Sequence, residues 1–270
     1  MDKYKQANLN LWNEQADIHV KSKFYDVDGF KAGKNSLYPI ELEELAPEVS
    51  GKTMLHLQCH FGLDTMSWAR LGAIPTGMDF SDKVIAHARA LNEELVLKCK
   101  FIHSDIFELP EKLTGQFDIV YTSYGVLTWL PDMQGWASVV DNFLKPGGTF
   151  YIVEIHPFAH MLDDEVEGEE LRLRYPYFHS DEPHVFETSG SYVDREAEIK
   201  QPVVYEWTHS IGDILNALLG VGLRIEYLHE FDFIAHRHLP FMVERDRLFY
   251  LPEGMPKIPL MFSLKAKKPN

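Results

Sequence analysis

Positive charge, cysteine and long apolar runs are all scarce in this sequence. Its 26 lysine and arginine residues are outnumbered by 41 aspartate and glutamate residues, which gives a formal net charge of −15. A protein that binds a nucleic acid backbone needs a basic face, so no nucleic acid partner is expected. The two cysteines, Cys59 and Cys99, form neither a disulfide framework nor a metal-ligand spacing. Two thiols suit a reducing cytoplasm.

Signals for membranes and for several enzyme classes are absent as well. No apolar run approaches the roughly 18 residues of a membrane-spanning helix, and the start MDKYKQANLN lacks the apolar centre of a signal peptide. We therefore expect a soluble, cytoplasmic protein with no membrane partner. The sequence has no GxSxG elbow and no P-loop. His236 and His238 lack a third clear ligand, so no metal site is predicted.

The most informative stretch that is present, Thr53–Ser67, predicts a strand, a tight turn and a helix. Met54–Leu57 has the length of a buried strand, Gln58–Gly62 forms the turn, and a helical pattern begins at Asp64. Free backbone N–H groups and a positive dipole end make such a helix start suitable for an anionic or nucleotide ligand. Gly62 lets the backbone approach a ligand or adopt a positive φ. An ordinary connection without a ligand remains the alternative from these residues alone.

Strands and helices alternate regularly after this turn. The pattern predicts an α/β fold, doubly wound and Rossmann-like, with a mostly parallel sheet covered on both faces. The last two strands are predicted at Leu223–Leu228 and Leu260–Leu264, the final one as an edge or antiparallel partner. Residues 236–256, which are rich in proline, aromatic and charged residues, read as loop.

The chain divides into three predicted segments. Residues 1–50 form an N-terminal helical segment, interrupted by a predicted loop at residues 24–36. The segment is either a lid over a pocket or a packing appendage. Residues 51–156 and 208–270 form the core. Residues 157–207 form a small antiparallel β insertion after strand five, with short strands at 171–178, 184–187 and 202–207. Exposed strands in this insertion would allow a homodimer.

Polar residues follow successive strands of the predicted sheet. Ligands of open α/β sheets bind outside the carboxyl ends of the strands. Asp79 lies about 20 residues beyond the first turn, where a carboxylate can accept ribose hydroxyl protons. Asp105 can accept from an adenine amine, with Phe80 and Ile106 offering apolar faces to the ring. Ser81 is expected to cap the following helix.

The segments HLQCHFGLDT, GMDFS, HSDIFELP, FDIVYTSYGVLTWLPD and LKPGG occur in this order. In order and spacing they resemble the class I S-adenosylmethionine-dependent methyltransferases over about Leu55–Ile155. The resemblance implies a seven-stranded sheet with an antiparallel last strand, S-adenosylmethionine as the cofactor, and methyl transfer to an acceptor. It assigns the cofactor site to the first turn and to the ends of the next three strands, at Gln58, Cys59, His60, Gly62, Asp79, Phe80, Ser81, Asp105, Ile106, Ser123 and Tyr124.

The first turn departs from the family pattern. Where the family has an acidic residue and three spaced glycines, this chain has His56, Gln58, His60 and Gly62. This departure motivates an alternative function, a module of methyltransferase fold that binds the cofactor or a nucleoside without turnover. A nicotinamide dinucleotide is disfavoured because Gln58 and His60 would crowd its pyrophosphate.

The acceptor is expected to be a small molecule. After strand four the chain lacks the Asn/Asp-Pro-Pro-aromatic motif of enzymes that methylate nucleic acid amines, and its charge is strongly negative. Two histidines are candidate general bases, His156 just past strand five and His209 after the last strand of the insertion. Each has a structural alternative, a ring bonded to the backbone. Four aromatic residues are predicted to line the substrate pocket: Trp12, Tyr25, Trp129 and Trp207.

Overall fold

A seven-stranded sheet organises the protein in the computed structural model, which describes residues 2–188 and 190–270. The strands in chain order are β1 (Thr53–Leu57), β2 (Ile74–Asp79), β3 (Lys100–His103), β4 (Phe117–Ser123), β5 (Leu144–Ile155), β6 (His184–Glu187), β7 (Val203–Glu206), β8 (Arg224–Phe231), β9 (Phe233–Ile234), β10 (Val243–Arg245), β11 (Leu248–Tyr250) and β12 (Met261–Lys267). The order across the large sheet is β3-β2-β1-β4-β5-β12-β8. The pairs among β1–β5 are parallel, as expected.

Helices cover both faces of this sheet and its carboxyl edge. In chain order they are α1 (Lys3–Lys21), α2 (Val27–Lys31), α3 (Pro39–Glu44), α4 (Leu63–Arg70), α5 (Asp82–Glu94), α6 (Leu109–Lys112), α7 (Met133–Phe143) and α8 (Ile211–Gly220), with single 3₁₀ turns at Ala46–Glu48, Leu127–Trp129 and Ala159–Met161. None of the helices in the described part of the chain has the length and the apolar content needed to cross a membrane.

The core has two layers, one on each face of the sheet. Trp136 of α7 and Ile214 of α8 pack with Phe150 and Phe262 on one face. Trp68 of α4 belongs to the cluster on the opposite face. Because both faces are covered, residues 148–155 of β5 are all buried, which explains why the strand is a continuous apolar run rather than an alternating one.

The last strand was expected either at the edge of the sheet or as an antiparallel partner, and only the second expectation is confirmed. β12 is antiparallel to β5 and to β8 and lies between them, so it is an internal strand. The edge position belongs to β8. The family resemblance therefore predicted the direction of this strand correctly, and an edge placement is excluded.

Three local predictions were wrong. Residues 236–256 are not all loop, since β10 and β11 pair there and β11 extends the pairing to β9. These strands have three residues or fewer, which is too short for an alternating pattern to be visible. Residues 171–178 form only an isolated bridge, between Leu162 and Leu173. The aromatic and glycine-containing stretch before α3 includes the short helix α2, not only loop.

The first helix joins the core to the insertion. Asp2 caps α1 by accepting from the N–H of Lys5, and Lys5 Nζ lies 2.9 Å from Asp105 Oδ2 of the core. On the other side, the Asn8 amide donates to the carbonyl of Tyr205 in β7 and accepts from its N–H, at 2.7 and 2.9 Å. α1 therefore spans from the sheet to the β6–β7 hairpin.

Candidate functional site

The turn after β1 is held in an unusual backbone conformation. Gln58, His60 and Gly62 have φ values of 55°, 51° and 81°, in the left-handed region that costs a side-chain-bearing residue about 1–2 kcal/mol. Gly62 begins α4 and has no such cost. A Cβ added at Gly62 would lie 2.5 Å from the Phe101 ring. The glycine is therefore required here by both conformation and space.

The carboxylate of Asp79 fixes this turn in place. Its Oδ2 accepts from the N–H of His60 at 2.9 Å, and its Oδ1 accepts from the N–H of Ser81 at 3.0 Å. Each oxygen keeps a second lone pair for a further donor, and the side chain lines the cavity described below. Burial raises the pKa of Asp79 to about 6, with the backbone hydrogen bonds opposing the shift. The residue can therefore hold the loop and accept from a ligand hydroxyl together.

A cavity of about 1060 Å³ opens at the carboxyl ends of β1, β2 and β4. This is the edge at which open α/β sheets bind ligands. The structure places most of the predicted cofactor and substrate residues on its wall, namely Gln58, Cys59, His60, Gly62, Asp79, Phe80, Ser123, Tyr124, Trp12, Tyr25 and Trp129.

Three residues predicted for the cofactor site do not line this cavity. Asp105 pairs with Lys5 and accepts from the N–H of Phe107 at 2.9 Å. Ile106 is buried in the apolar core of the sheet. Ser81 caps α5, as expected, by accepting from the N–H of Val84. These three side chains stabilise the structure around the cavity through an ion pair, burial in the core and a helix cap.

The two predicted general bases are also outside the cavity. His209 Nε2 lies 2.7 Å from the carbonyl oxygen of Leu130, and burial lowers the pKa of the ring to about 4. His156 Nδ1 accepts from the N–H of Phe158 at 3.0 Å, and its Nε2 lies 2.9 Å from Glu230 Oε1. Both rings are structural, which was the stated alternative. These contacts do not support the predicted catalytic roles.

Trp207, predicted for the substrate pocket, is likewise absent from the cavity wall. It is buried, and its ring makes an edge contact with Tyr4 of α1, with centroids 5.9 Å apart. The N–H of Trp207 donates to the carbonyl of Thr128 at 2.8 Å. The residue therefore joins α1, the hairpin and the segment after β4.

His19, which the sequence analysis did not single out, contacts the cavity residue His60. Its Nδ1 lies 3.1 Å from His60 Nε2, and its Nε2 lies 2.7 Å from Ser191 Oγ. Burial lowers the pKa of His19 to about 3, so the ring is neutral at physiological pH. The helical spacing of Trp12, Ala16 and His19 puts all three on one face of α1. This spacing could have indicated that His19 lies beside the predicted pocket residue Trp12.

Aromatic rings surround His60 where α1 crosses the turn. Trp12 and Tyr25 have ring centroids 5.6 and 5.3 Å from that of His60. Trp12 also makes an edge contact with Trp129, at 5.3 Å. Such a wall offers π faces to a cationic or planar ligand.

The segment after β4 contacts the turn after β1, where one polar atom is left unsatisfied. Glu154 is buried and accepts from the N–H groups of Val126 and Leu127 at 2.8 and 3.2 Å. The carbonyl of Val126 in turn accepts from Gln58 Nε2 at 3.0 Å. This contact leaves Gln58 Oε1 buried without a partner in the described part of the chain. A buried acceptor of this kind is costly unless a ligand donates to it.

A second acidic group on the cavity wall was also missed. Glu206, at the end of β7, accepts from Thr128 Oγ1 at 3.1 Å. Burial raises the pKa of Glu206 to about 7. Among the residues that the structure describes, no three His, Cys, Asp or Glu side chains are grouped as a metal site would require.

Comparisons with known proteins agree with this geometry. Residues 55–152 match the family model of a methyltransferase domain. A ubiquinone biosynthesis O-methyltransferase of Xanthomonas campestris pv. campestris is 29% identical over 135 residues, which are 49% of this chain and 56% of that relative. The chain thus spans little more than half the length of this curated relative.

Solved structures share the fold over most of the chain. An S-adenosylmethionine-dependent methyltransferase from Mesorhizobium loti superposes with a TM-score of 0.58 at 21% identity, covering 84% of this chain and 96% of that one. Another, from Clostridium acetobutylicum, gives a TM-score of 0.58 at 15% identity, covering 96% of this chain and 99% of the other. At these identities the likeness establishes the fold.

Proposed function

We propose that the protein is a class I S-adenosylmethionine-dependent methyltransferase that transfers a methyl group to a small-molecule acceptor. The match of residues 55–152 to a methyltransferase domain supports this proposal. The observation that carries the proposal is the cavity at the carboxyl ends of β1, β2 and β4, with Asp79 on its wall and the orphaned Gln58 Oε1 beside it. The carboxylate of Asp79 suits the hydroxyl donors of that cofactor, and Gln58 Oε1 suits its ammonium donor.

The residues of this chain fit the cofactor without a glycine-rich turn. Asp79 would accept from the ribose hydroxyls, because each of its oxygens keeps a free lone pair. Gln58 Oε1 would accept from the ammonium group, and the ring of Phe80 would pack on the base. When bound, the cofactor supplies a methyl group already activated by the positive sulfur.

The enclosing elements would orient the acceptor and exclude water. Helix α1 and the β6–β7 hairpin both contribute side chains to the cavity wall, and they are joined by Asn8 and Tyr205. Holding the acceptor close to the methyl group in a closed site accounts for much of the rate that such a displacement needs. A cavity of about 1060 Å³ has room for the cofactor and a small acceptor. The O-methyltransferase relative supports a hydroxyl group as the acceptor.

Calorimetric titration with S-adenosylhomocysteine tests the cofactor half of the proposal. We expect binding to the wild type, and an affinity about 10-fold or more lower for Asp79→Asn, because a hydrogen bond to a charged group contributes roughly 1.5–3 kcal/mol. Asp181→Asn, which changes an exposed carboxylate in the same way, should leave the affinity unchanged. Equal affinities for both variants and the wild type would contradict the assignment of Asp79.

A screen with labelled methyl donor over small hydroxyl, amine and thiol acceptors tests the transfer itself. Turnover of any acceptor supports an enzyme. Tight binding of the cofactor without turnover of any acceptor favours the binding module that the altered first turn suggests. Binding of neither S-adenosylmethionine nor S-adenosylhomocysteine would contradict both functions.

A further inference from the structure

We propose that Glu206 is the general base that accepts the acceptor's proton, with His184 beside it as a second polar contact, and that the acceptor is therefore a hydroxyl or an amine. This inference rests on the proposed methyl transfer and names the chemical class of its acceptor. It assigns to the β6–β7 hairpin the role that the sequence had suggested for His156 and His209.

One face of the hairpin looks into the cavity. His184 and Glu206 are directly opposite each other in the antiparallel pairing, as are Phe186 and Val204. Opposite residues share a face, with Cβ atoms roughly 4.5–5.5 Å apart, and all four of these residues line the cavity. Val185 points to the other face and is 62% exposed. A carboxylate and an imidazole therefore lie side by side on this face of the hairpin, next to the apolar pair Phe186 and Val204.

The hairpin is fixed to the segment that also contacts the cofactor turn. Thr128 donates its hydroxyl to Glu206 and accepts at its carbonyl from the N–H of Trp207. Two residues earlier, Val126 accepts from Gln58. The carboxylate is therefore held one short segment away from the turn where the cofactor would lie.

Both polar groups have capacity for a ligand. Glu206 receives one hydrogen bond in the described part of the chain, from Thr128, so most of its lone pairs are open. His184 Nε2 is buried and has no partner among the described residues. By contrast, His156 and His209 do not line the cavity, and the backbone contacts one ring nitrogen of each.

The pKa of Glu206 also suits a general base. Burial is the main cause that raises its pKa to about 7, and the charge of Asp164 adds to it, while the hydrogen bond from Thr128 opposes it. The polar groups that face the carboxylate are then His184 across the hairpin, Thr128 from the segment after β4, and Asp164 from the stretch that follows β5. A pKa near the working pH is the most effective value for a general base.

The proposed step is a displacement at the methyl carbon that is coupled to loss of a proton from the acceptor. A lone pair of the acceptor oxygen or nitrogen forms the new bond to the methyl carbon, and the electron pair of the carbon–sulfur bond goes to the positive sulfur, which becomes a neutral thioether. The acceptor's proton passes to a carboxylate oxygen of Glu206. A thiol that is already ionised has no proton to lose, so its methylation should not need this residue.

The test compares an aromatic hydroxyl, 3,4-dihydroxybenzoate, with the corresponding aromatic thiol, 3-mercaptobenzoate, as methyl acceptors at about pH 8, where the thiol is ionised. We expect Glu206→Gln to slow transfer to the hydroxyl by about 100-fold or more and transfer to the thiol by less than about 3-fold. The rate with the hydroxyl should rise with pH through about 7 in the wild type, and this inflection should disappear in the variant. Glu196→Gln, an exposed carboxylate of the same insertion, should behave as the wild type.

Several outcomes would overturn the inference. One is an equal loss of transfer rate for both acceptors in Glu206→Gln. Another is an inflection near pH 7 that survives in the pH dependence of the rate of this variant. A third is methylation of the thiol alone by the wild type. If the wild type binds S-adenosylhomocysteine but methylates neither acceptor, the ¹³C NMR titration of the Glu206 carboxyl group decides. A midpoint near 7 supports the assignment, and a midpoint near 4 rejects it. Absence of cofactor binding would instead reject the proposed function.

Discussion

Gly62 shows how a single residue sets the shape of the candidate site. The turn after β1 has three residues with positive φ, and two of them carry side chains. Gln58 and His60 carry the conformational cost. The hydrogen bonds that the N–H of His60 donates to Asp79 and that Gln58 donates to the carbonyl of Val126 offset part of it. Strain that is retained at such a position is typical of ligand-binding loops.

Gly62→Ala should destabilise the protein by about 2–4 kcal/mol, from the positive φ and from the overlap of the new Cβ with Phe101. Gly222→Ala is the matched control, because Gly222 has a φ of 88° and open space around it. It should cost only about 1–2 kcal/mol. Urea unfolding measures both. Equal losses for the two variants would show that the contact with Phe101 is unimportant.

At the residue scale the sequence predicted Asp79 correctly as a cavity residue, since a carboxylate at that distance from the first turn lies at a strand end. It could not place His156 and His209, because their roles depend on which backbone groups come near their rings. Glu206 was missed for a related reason. Its significance depends on the hairpin face that turns toward the cavity and on burial, neither of which is visible in a four-residue strand.

At the scale of elements, α1 forms part of the cavity wall through Leu11, Trp12 and Gln15. Its sequence predicted an amphipathic helix, while its position over the carboxyl edge depends on polar contacts with distant residues. Asn8 supplies the missing hydrogen bonds of β7 at Tyr205, and His19 reaches His60 and Ser191. These contacts fix α1 against the hairpin and the first turn, and the role of the first segment as a lid stays a prediction.

Asn8→Ala should release α1 from the hairpin. Asn8 is only 3% exposed, so its removal leaves the N–H and carbonyl of Tyr205 without partners, at a cost of about 1–3 kcal/mol. Hydrogen exchange of α1 and β7 should accelerate about 5-fold or more. Asn10→Ala, which removes an exposed contact with Gln201 on the same helix, should change exchange little. Equal protection in the two variants would rule out this role for Asn8.

The parallel strands of the core were predictable because turns and helical segments separate them regularly along the chain. Strands β1 to β5 therefore emerged from local pattern alone. The insertion of β12 between β5 and β8 could not be seen in this way, because two strands with similar patterns give no sign of their order. The short strands β9, β10 and β11 are stabilised by one another and lack a local signature.

At the scale of the whole molecule, Glu41 connects the N-terminal segment to the centre of the sheet. It is fully buried in α3, and its carboxyl group bonds to the hydroxyls of Tyr121 and Tyr124. Burial, reinforced by the charge of Asp64, raises the pKa of Glu41 to about 8. The folded protein therefore keeps this proton at a pH where the unfolded chain has lost it.

The free energy of unfolding should fall as the pH rises from about 4.5 toward 8, because the unfolded state then binds fewer protons than the folded state. Glu41→Gln removes this contribution, so its stability should decline less than that of the wild type between about pH 6 and pH 8. Glu43→Gln, an exposed change in the same helix, should follow the wild type. Urea unfolding at both pH values measures the difference, and identical slopes for all three proteins would refute the role of Glu41.

A crystal structure of the protein with S-adenosylhomocysteine tests the central claim most directly. We predict the nucleoside in the cavity at the carboxyl ends of β1 and β2, with the ribose hydroxyls donating to Asp79 and the amino group donating to Gln58 Oε1. A cavity closed by the side chains of Gln58 and His60, with the ligand bound elsewhere or absent, would contradict it.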